Sequence, residues 1–188
     1  MLDPKFVQEV FNSATLLLSK EDLMHAFDQM CQEAEQVLKD QNPILLCVMN
    51  GGLMTMSEIA MRLNFPLQMD YLHATRYDGE TSGGRSVFWR REPSIPLKNR
   101  VVVIVDDILD GGLTLKAIKD FCQKEGASKI YSAVMLDKPS ARDPEGEPTA
   151  DFIGVSIEDH YVFGFGLDYH EYLRNIPGIY AVAPQHMS

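Results

Sequence analysis

Residues 101–114, Val101-Val102-Val103-Ile104-Val105-Asp106-Asp107-Ile108-Leu109-Asp110-Gly111-Gly112-Leu113-Thr114, decide how this 188-residue chain folds. The unbroken β-branched run 101–105 reads as a strand buried on both faces, the kind found in a parallel sheet. Asp106 and Asp107 follow at its carboxyl end, and Asp110 to Thr114 form a short loop opening a helix that runs through Glu125. Open α/β sheets bind ligands at the carboxyl ends of their strands. Glycines let backbone N–H groups approach a phosphate, and a helix N-terminus adds partial positive charge. An acid pair accepts hydrogen bonds from sugar hydroxyls or meets a divalent cation. Phosphate, diol and metal together describe a phosphorylated ribose. On residue types alone a plain βα turn explains the same segment, because glycine in such turns is often only backbone chemistry.

Two other phosphate-linked folds fit less well. A receiver domain also ends a strand in an acid pair, and Asp137-Lys138-Pro139 mimics part of its later signature. That fold places the pair near its start, whereas here too little chain follows for the remaining units at roughly 30 residues per crossover. A Walker-type loop is absent, since the sequence contains no G-x-x-x-x-G-K-[ST].

Length and an apolar fraction of 45% suit one globular domain spanning 1–188. A net charge of −10 argues against a broad nucleic-acid or anionic-membrane surface, without excluding a local basic pocket. No apolar run approaches the roughly 20 residues of a membrane span, and no charged-then-apolar leader pattern opens the chain. Cys31, Cys47 and Cys122 are widely spaced in apolar patterns, which points to buried free thiols in a reducing compartment, the cytoplasm.

The first forty residues read as helical. Ser19 is the expected N-cap, and Leu23, Met24, Phe27, Met30, Cys31, Ala34, Val37 and Leu38 trace one helix face. Asn42-Pro43 ends that helix, 44–49 is a short buried strand, and Asn50-Gly51-Gly52 turns into a helix reaching Leu63. Strands are expected at 67–75, 129–136, 151–155 and 161–163. Between Arg76 and Lys98 lies a long polar stretch with at most a short strand around Val87–Trp89. Alternating βα units predict an α/β fold with a mostly parallel twisted sheet flanked by helices.

From about Ser19 onward the chain resembles the type I phosphoribosyltransferases, and its motif order is similar to that of the hypoxanthine–guanine phosphoribosyltransferases. The segment 101–114 resembles their phosphoribosyl-pyrophosphate (PRPP) signature. Met49-Asn50-Gly51-Gly52 stands at the pyrophosphate loop, with Asn50 where the family usually has lysine. Glu158 to Tyr169 is similar to the purine and metal segment, and Arg76-Tyr77 stand at the start of a lid extending to Arg91.

The resemblance implies a small hood over the site, built from segments 1–42 and 158–188. It implies transfer of 5-phosphoribosyl from PRPP to a 6-oxopurine, with Mg2+ as cofactor. Asp106, Asp107, Asp110, Gly111, Gly112, Leu113 and Thr114 would hold the ribose and 5′-phosphate, with Asp110 as general base. Asn50, Gly51 and Arg174 would meet pyrophosphate, and the Met49–Asn50 peptide would be strained or cis with substrate bound. Lys138, Tyr161, Val162 and Asp168 would bind the purine; Asp168, Asp106 and Asp107 would hold the metal. Glycines 79, 83 and 84 would permit lid motion, while Arg85, Arg90 and Arg91 read singly as solvated charges. Neither His160 nor His170 has a metal-like partner at i+3 or i+4, so zinc is rejected. The family also implies a homodimer or homotetramer. Xanthine, adenine or orotate phosphoribosyltransferases, and a PRPP-sensing RNA-binding regulator on the same fold, remain alternatives.

Overall fold

The computed structural model describes residues 1–76 and 87–187. The expected lid residues Tyr77 to Ser86, including Gly79, Gly83, Gly84 and Arg85, lie outside the described residues. The helices are α1 (Pro4–Ser13), α2 (Lys20–Leu38), α3 (Leu53–Arg62) and α4 (Leu113–Lys124). The strands are β1 (Thr15–Leu18), β2 (Ile44–Val48), β3 (Gln68–Arg76), β4 (Val87–Arg91), β5 (Val101–Leu109), β6 (Lys129–Asp137), β7 (Phe152–Ser156), β8 (Val162–Phe163) and β9 (Ile179–Ala181).

The β-branched run of β5 sits inside a six-stranded sheet ordered β4-β3-β2-β5-β6-β7. β2 and β6 flank it in parallel, as its two buried faces require. β3 and β7 continue the parallel pairing, and only β4 runs antiparallel, against β3. One face of the sheet packs under α2 and α3 through Leu45, Cys47, Val103, Val105 and Met135. The other packs under α4 through Leu46, Ile104 and Val134, with Ile118 and Cys122 of the helix buried. Burial raises all three thiols, Cys31 to about 11 and Cys47 and Cys122 to about 12, so they are packing groups, not nucleophiles.

Ser19 caps α2 in a reciprocal capping box with Asp22, whose carboxylate accepts the Ser19 N–H at 2.8 Å. On the expected helix face Leu23, Phe27, Met30, Cys31, Ala34 and Leu38 are buried, whereas Val37 is exposed.

One expectation about the N-terminal segment needs correction. It is not helical throughout, because β1 separates α1 from α2 and pairs antiparallel with β9, which pairs with β8. Within 1–42, β1 joins this second, three-stranded sheet and α1 packs against it, while the apolar face of α2 is buried in the main core. Phe27 still reaches across to Phe165, ring centroids 5.7 Å apart, tying the two layers together.

Candidate active site

The carboxyl ends of β2, β3 and β5 open into a cavity of about 660 Å³. It gathers Asn50 and Gly51, Asp106, Asp107 and Asp110, Gly112 and Thr114, together with Arg174. Segments 50–52 and 106–107 meet at Gly51, where a Cβ would collide with the Asp107 carboxylate. Only glycine permits that approach. The Met49–Asn50 peptide beside it is cis.

Asp106 and Asp107 are half-buried and stand side by side. Burial, reinforced by the neighbouring Asp107 charge, holds Asp106 well above the usual carboxylate range, and burial raises Asp107 as well. Such a pair gains from a cation or from sugar hydroxyls that donate to it. The sign of the stability effect follows. A carboxyl raised in the folded state stabilises the fold when protonated, and that contribution is lost as pH climbs through the raised value. Asp106→Asn, which retains an acceptor for the Asp107 N–H (2.9 Å), is therefore expected to raise Tm in chelator at pH 7. The gain should vanish below pH 4. Thermal melts across pH with chelator measure the effect.

The loop 110–114 is braced from the segment after β6. Arg142 donates to the carbonyls of Leu109 (2.8 Å) and Asp110 and pairs with Asp137. Asp143 N–H donates to the Gly111 carbonyl and Glu147 N–H to that of Gly112, each at 3.1 Å. Gly112 has φ +82°, and a Cβ there would lie 2.5 Å from the Glu147 carbonyl oxygen. Gly112→Ala is expected to destabilise the fold by at least about 1–2 kcal/mol, the cost of a left-handed L-residue, and to weaken PRPP binding. Urea midpoints and PRPP titration check it. Gly111 and Leu113 complete the loop without facing the cavity as directly as Gly112 and Thr114.

Lys138 follows β6 directly and is only 5% exposed. Its Nζ lies 3.4 Å from Asp159 Oδ1 and 3.8 Å from Asp110 Oδ2. The Asp110 carboxylate thus stands between the acid pair and the lysine, 49% exposed and open to an incoming group.

Tyr161 remains 39% exposed, an available aromatic face, while Val162 is buried in β8. Burial and the Asp168 charge raise the Tyr161 phenol. Asp168 accepts from Arg174 at 2.6 Å and from the Glu171 N–H at 2.8 Å. Arg174 also donates to the Gly166 carbonyl at 2.7 Å.

Among the described residues no group of three or more His, Cys, Asp or Glu converges as a metal cluster. Asp168 is paired with Arg174 and is not grouped with Asp106 and Asp107. A hard cation here would take its carboxylate ligands in ones and twos and complete its shell from phosphate oxygens and water, as Mg2+ commonly does.

Residue-by-residue reading of the sequence missed Arg142, Asp159, Glu171 and His73. Arg142 and Asp159 touch the loop and lysine just described, and Glu171 and His73 line the cavity. Arg142 reaches Leu109 and Asp110, and Asp159 reaches Lys138, across chain distant in sequence. Membership of the 158–169 segment was the one clue to Asp159.

The phosphoribosyl transferase domain profile matches residues 16–171. Curated hypoxanthine-guanine phosphoribosyltransferases are similar at 33% identity over 174 residues in Staphylococcus aureus (90% of this chain, 94% of the relative). The corresponding protein of Staphylococcus epidermidis is 32% identical over 164 residues (87% and 90%). A crystal structure of a Staphylococcus aureus hypoxanthine phosphoribosyltransferase superposes with a TM-score of 0.87 at 26% identity, covering 100% of both chains. With the domain profile covering most of the chain and relatives above 30% identity along nearly all of it, the chain belongs to the hypoxanthine–guanine phosphoribosyltransferases.

Proposed function

We propose that the protein is a purine-salvage enzyme that transfers 5-phosphoribosyl from PRPP to N9 of a 6-oxopurine, hypoxanthine or guanine, giving IMP or GMP and pyrophosphate. The observation that carries this reading is one cavity in which the acid pair, the braced loop and Asp110 meet, with Lys138 3.8 Å from Asp110. Backbone N–H groups of 111–114 with Thr114 would cradle the 5′-phosphate, and Asp106 and Asp107 would accept from the ribose hydroxyls. Asp110 would take the N7 proton as N9 attacks. Lys138 would donate to the 6-oxo oxygen, Tyr161 would stack on the base, and the Val162 backbone would read its edge. Asn50, Gly51 and Arg174 would face the pyrophosphate.

The ribosyl centre develops positive charge as the leaving group departs, so positioning and charge stabilisation supply most of the rate. Asp106 and Asp107 on one side and Asp168 on the other suit Mg2+ held jointly with substrate oxygens, which would neutralise the departing pyrophosphate. The buried free thiols suit a reducing cytoplasm, and a homodimer or homotetramer is the proposed assembly, to be read by light scattering.

Incubation with PRPP, magnesium and one base at a time, followed by chromatography, tests the reading. Nucleotide from hypoxanthine or guanine is expected. Nucleotide from orotate or adenine alone would overturn it, as would salt-sensitive RNA binding without turnover.

A further inference from the structure

Among the described residues, the cavity is short of available positive charge for a substrate that carries a pyrophosphate. Asp106, Asp107, Asp110 and Glu171 face it, against Arg90 and Arg174. Arg174 is already committed to Asp168, Glu171 and the Gly166 carbonyl. Asn50, on the loop nearest the leaving-group end, is uncharged.

Arg90 is different. His73 of β3 pairs with Arg91 of β4 and Ala74 with Trp89, so Arg90 has no partner of its own and forms the extra residue of a β-bulge. Bulges re-aim side chains and are common beside active sites. The two neighbours face opposite ways. Trp89 packs on Phe121 of α4, ring centroids 4.6 Å apart, while Arg91 lies over the Tyr71 ring at 4.1 Å. Arg90 between them lines the cavity, and its guanidinium makes no hydrogen bond or ion pair with another described residue. β4, β3 and β2 are adjacent in the sheet, and the Met49 N–H donates to the Leu72 carbonyl at 2.9 Å. The bulge therefore opens on the same wall as the Asn50 loop.

We propose that Arg90 is a pyrophosphate-binding residue, delivered by the β4 bulge to the leaving-group end of PRPP. This deepens the phosphoribosyl-transfer reading and rests on it. A guanidinium presents paired N–H donors that match phosphate oxygens, which a solvated surface arginine would leave unused.

Titration calorimetry with magnesium pyrophosphate tests the proposal, and binding is read without turnover, so a failed transfer assay leaves the result standing on its own. Arg90→Gln should weaken pyrophosphate about 10- to 100-fold, the size of one or two charge-assisted hydrogen bonds. In the transfer assay the KM for PRPP should rise similarly while that for hypoxanthine holds. Arg90→Lys should recover part of the loss. Asn50→Lys places a new charge on the same wall, so it should restore binding strongly to Arg90→Gln and add less to the unmodified protein. Unchanged pyrophosphate affinity in Arg90→Gln would overturn the proposal.

Discussion

Asp110→Asn is expected to lower kcat about 100- to 10,000-fold, the range spanned by general base catalysis, while the KM for PRPP changes little. The asymmetry comes from how the residue is held. Its backbone is fixed by Arg142, and the glycine loop beyond it by Asp143 and Glu147. Replacing the carboxylate with an amide keeps that bracing and the side-chain volume. What disappears is the acceptor for a proton, at a side chain half open to the cavity and 3.8 Å from Lys138. Stopped-flow measurement of the chemical step with saturating PRPP checks it. A near-normal rate would remove Asp110 from proton transfer.

The second large effect is expected at Lys138. A lysine ammonium offers only donors, so it pairs with a 6-oxo acceptor and not with the hydrogens of a 6-amino group. Sites built on such a bond discriminate by up to about 10,000-fold when the mismatched group is left wholly unpaired. Here Asp159 and Asp110 flank the ammonium at 3.4 and 3.8 Å, so it keeps partners when the wrong base enters. A discrimination of about 10- to 100-fold from this contact is the better expectation, the value of one hydrogen bond to a charged group. Lys138→Gln supplies an acceptor as well as donors. It should lose activity on hypoxanthine and guanine and narrow the gap to adenine. The measurement is kcat/KM for each base with both proteins; a ratio that does not fall would mean Lys138 does not read the 6-position.

Strands of the main sheet were legible because burial on both faces forces long β-branched or apolar runs, as in 44–48 and 101–105. The small sheet was legible only at 161–163, where β8 lies. β1 and β9 are four and three residues long, too short to show a period, and β1 depends on pairing Thr15 with Ala181 at the other end of the chain. The same division holds in the cavity. The acid pair and glycine loop follow one strand end and can be read in order. Arg142 and Asp159 act on residues reached only through the fold, and a bulge that puts Arg90 on the cavity wall leaves no mark in composition. Arg90 read singly as a solvated charge; the broken β3–β4 register and its place on the cavity wall point elsewhere.

One measurement tests the central claim most directly: incorporation of labelled pyrophosphate into PRPP when the protein is given IMP and magnesium. If purine and pyrophosphate exchange places on one ribosyl centre in this cavity, the reverse reaction must yield PRPP and hypoxanthine in equal amounts, and only when pyrophosphate is present. Hypoxanthine released with unlabelled ribose 5-phosphate, independent of pyrophosphate, would contradict the account, because water and not the leaving group would then be the partner of the base.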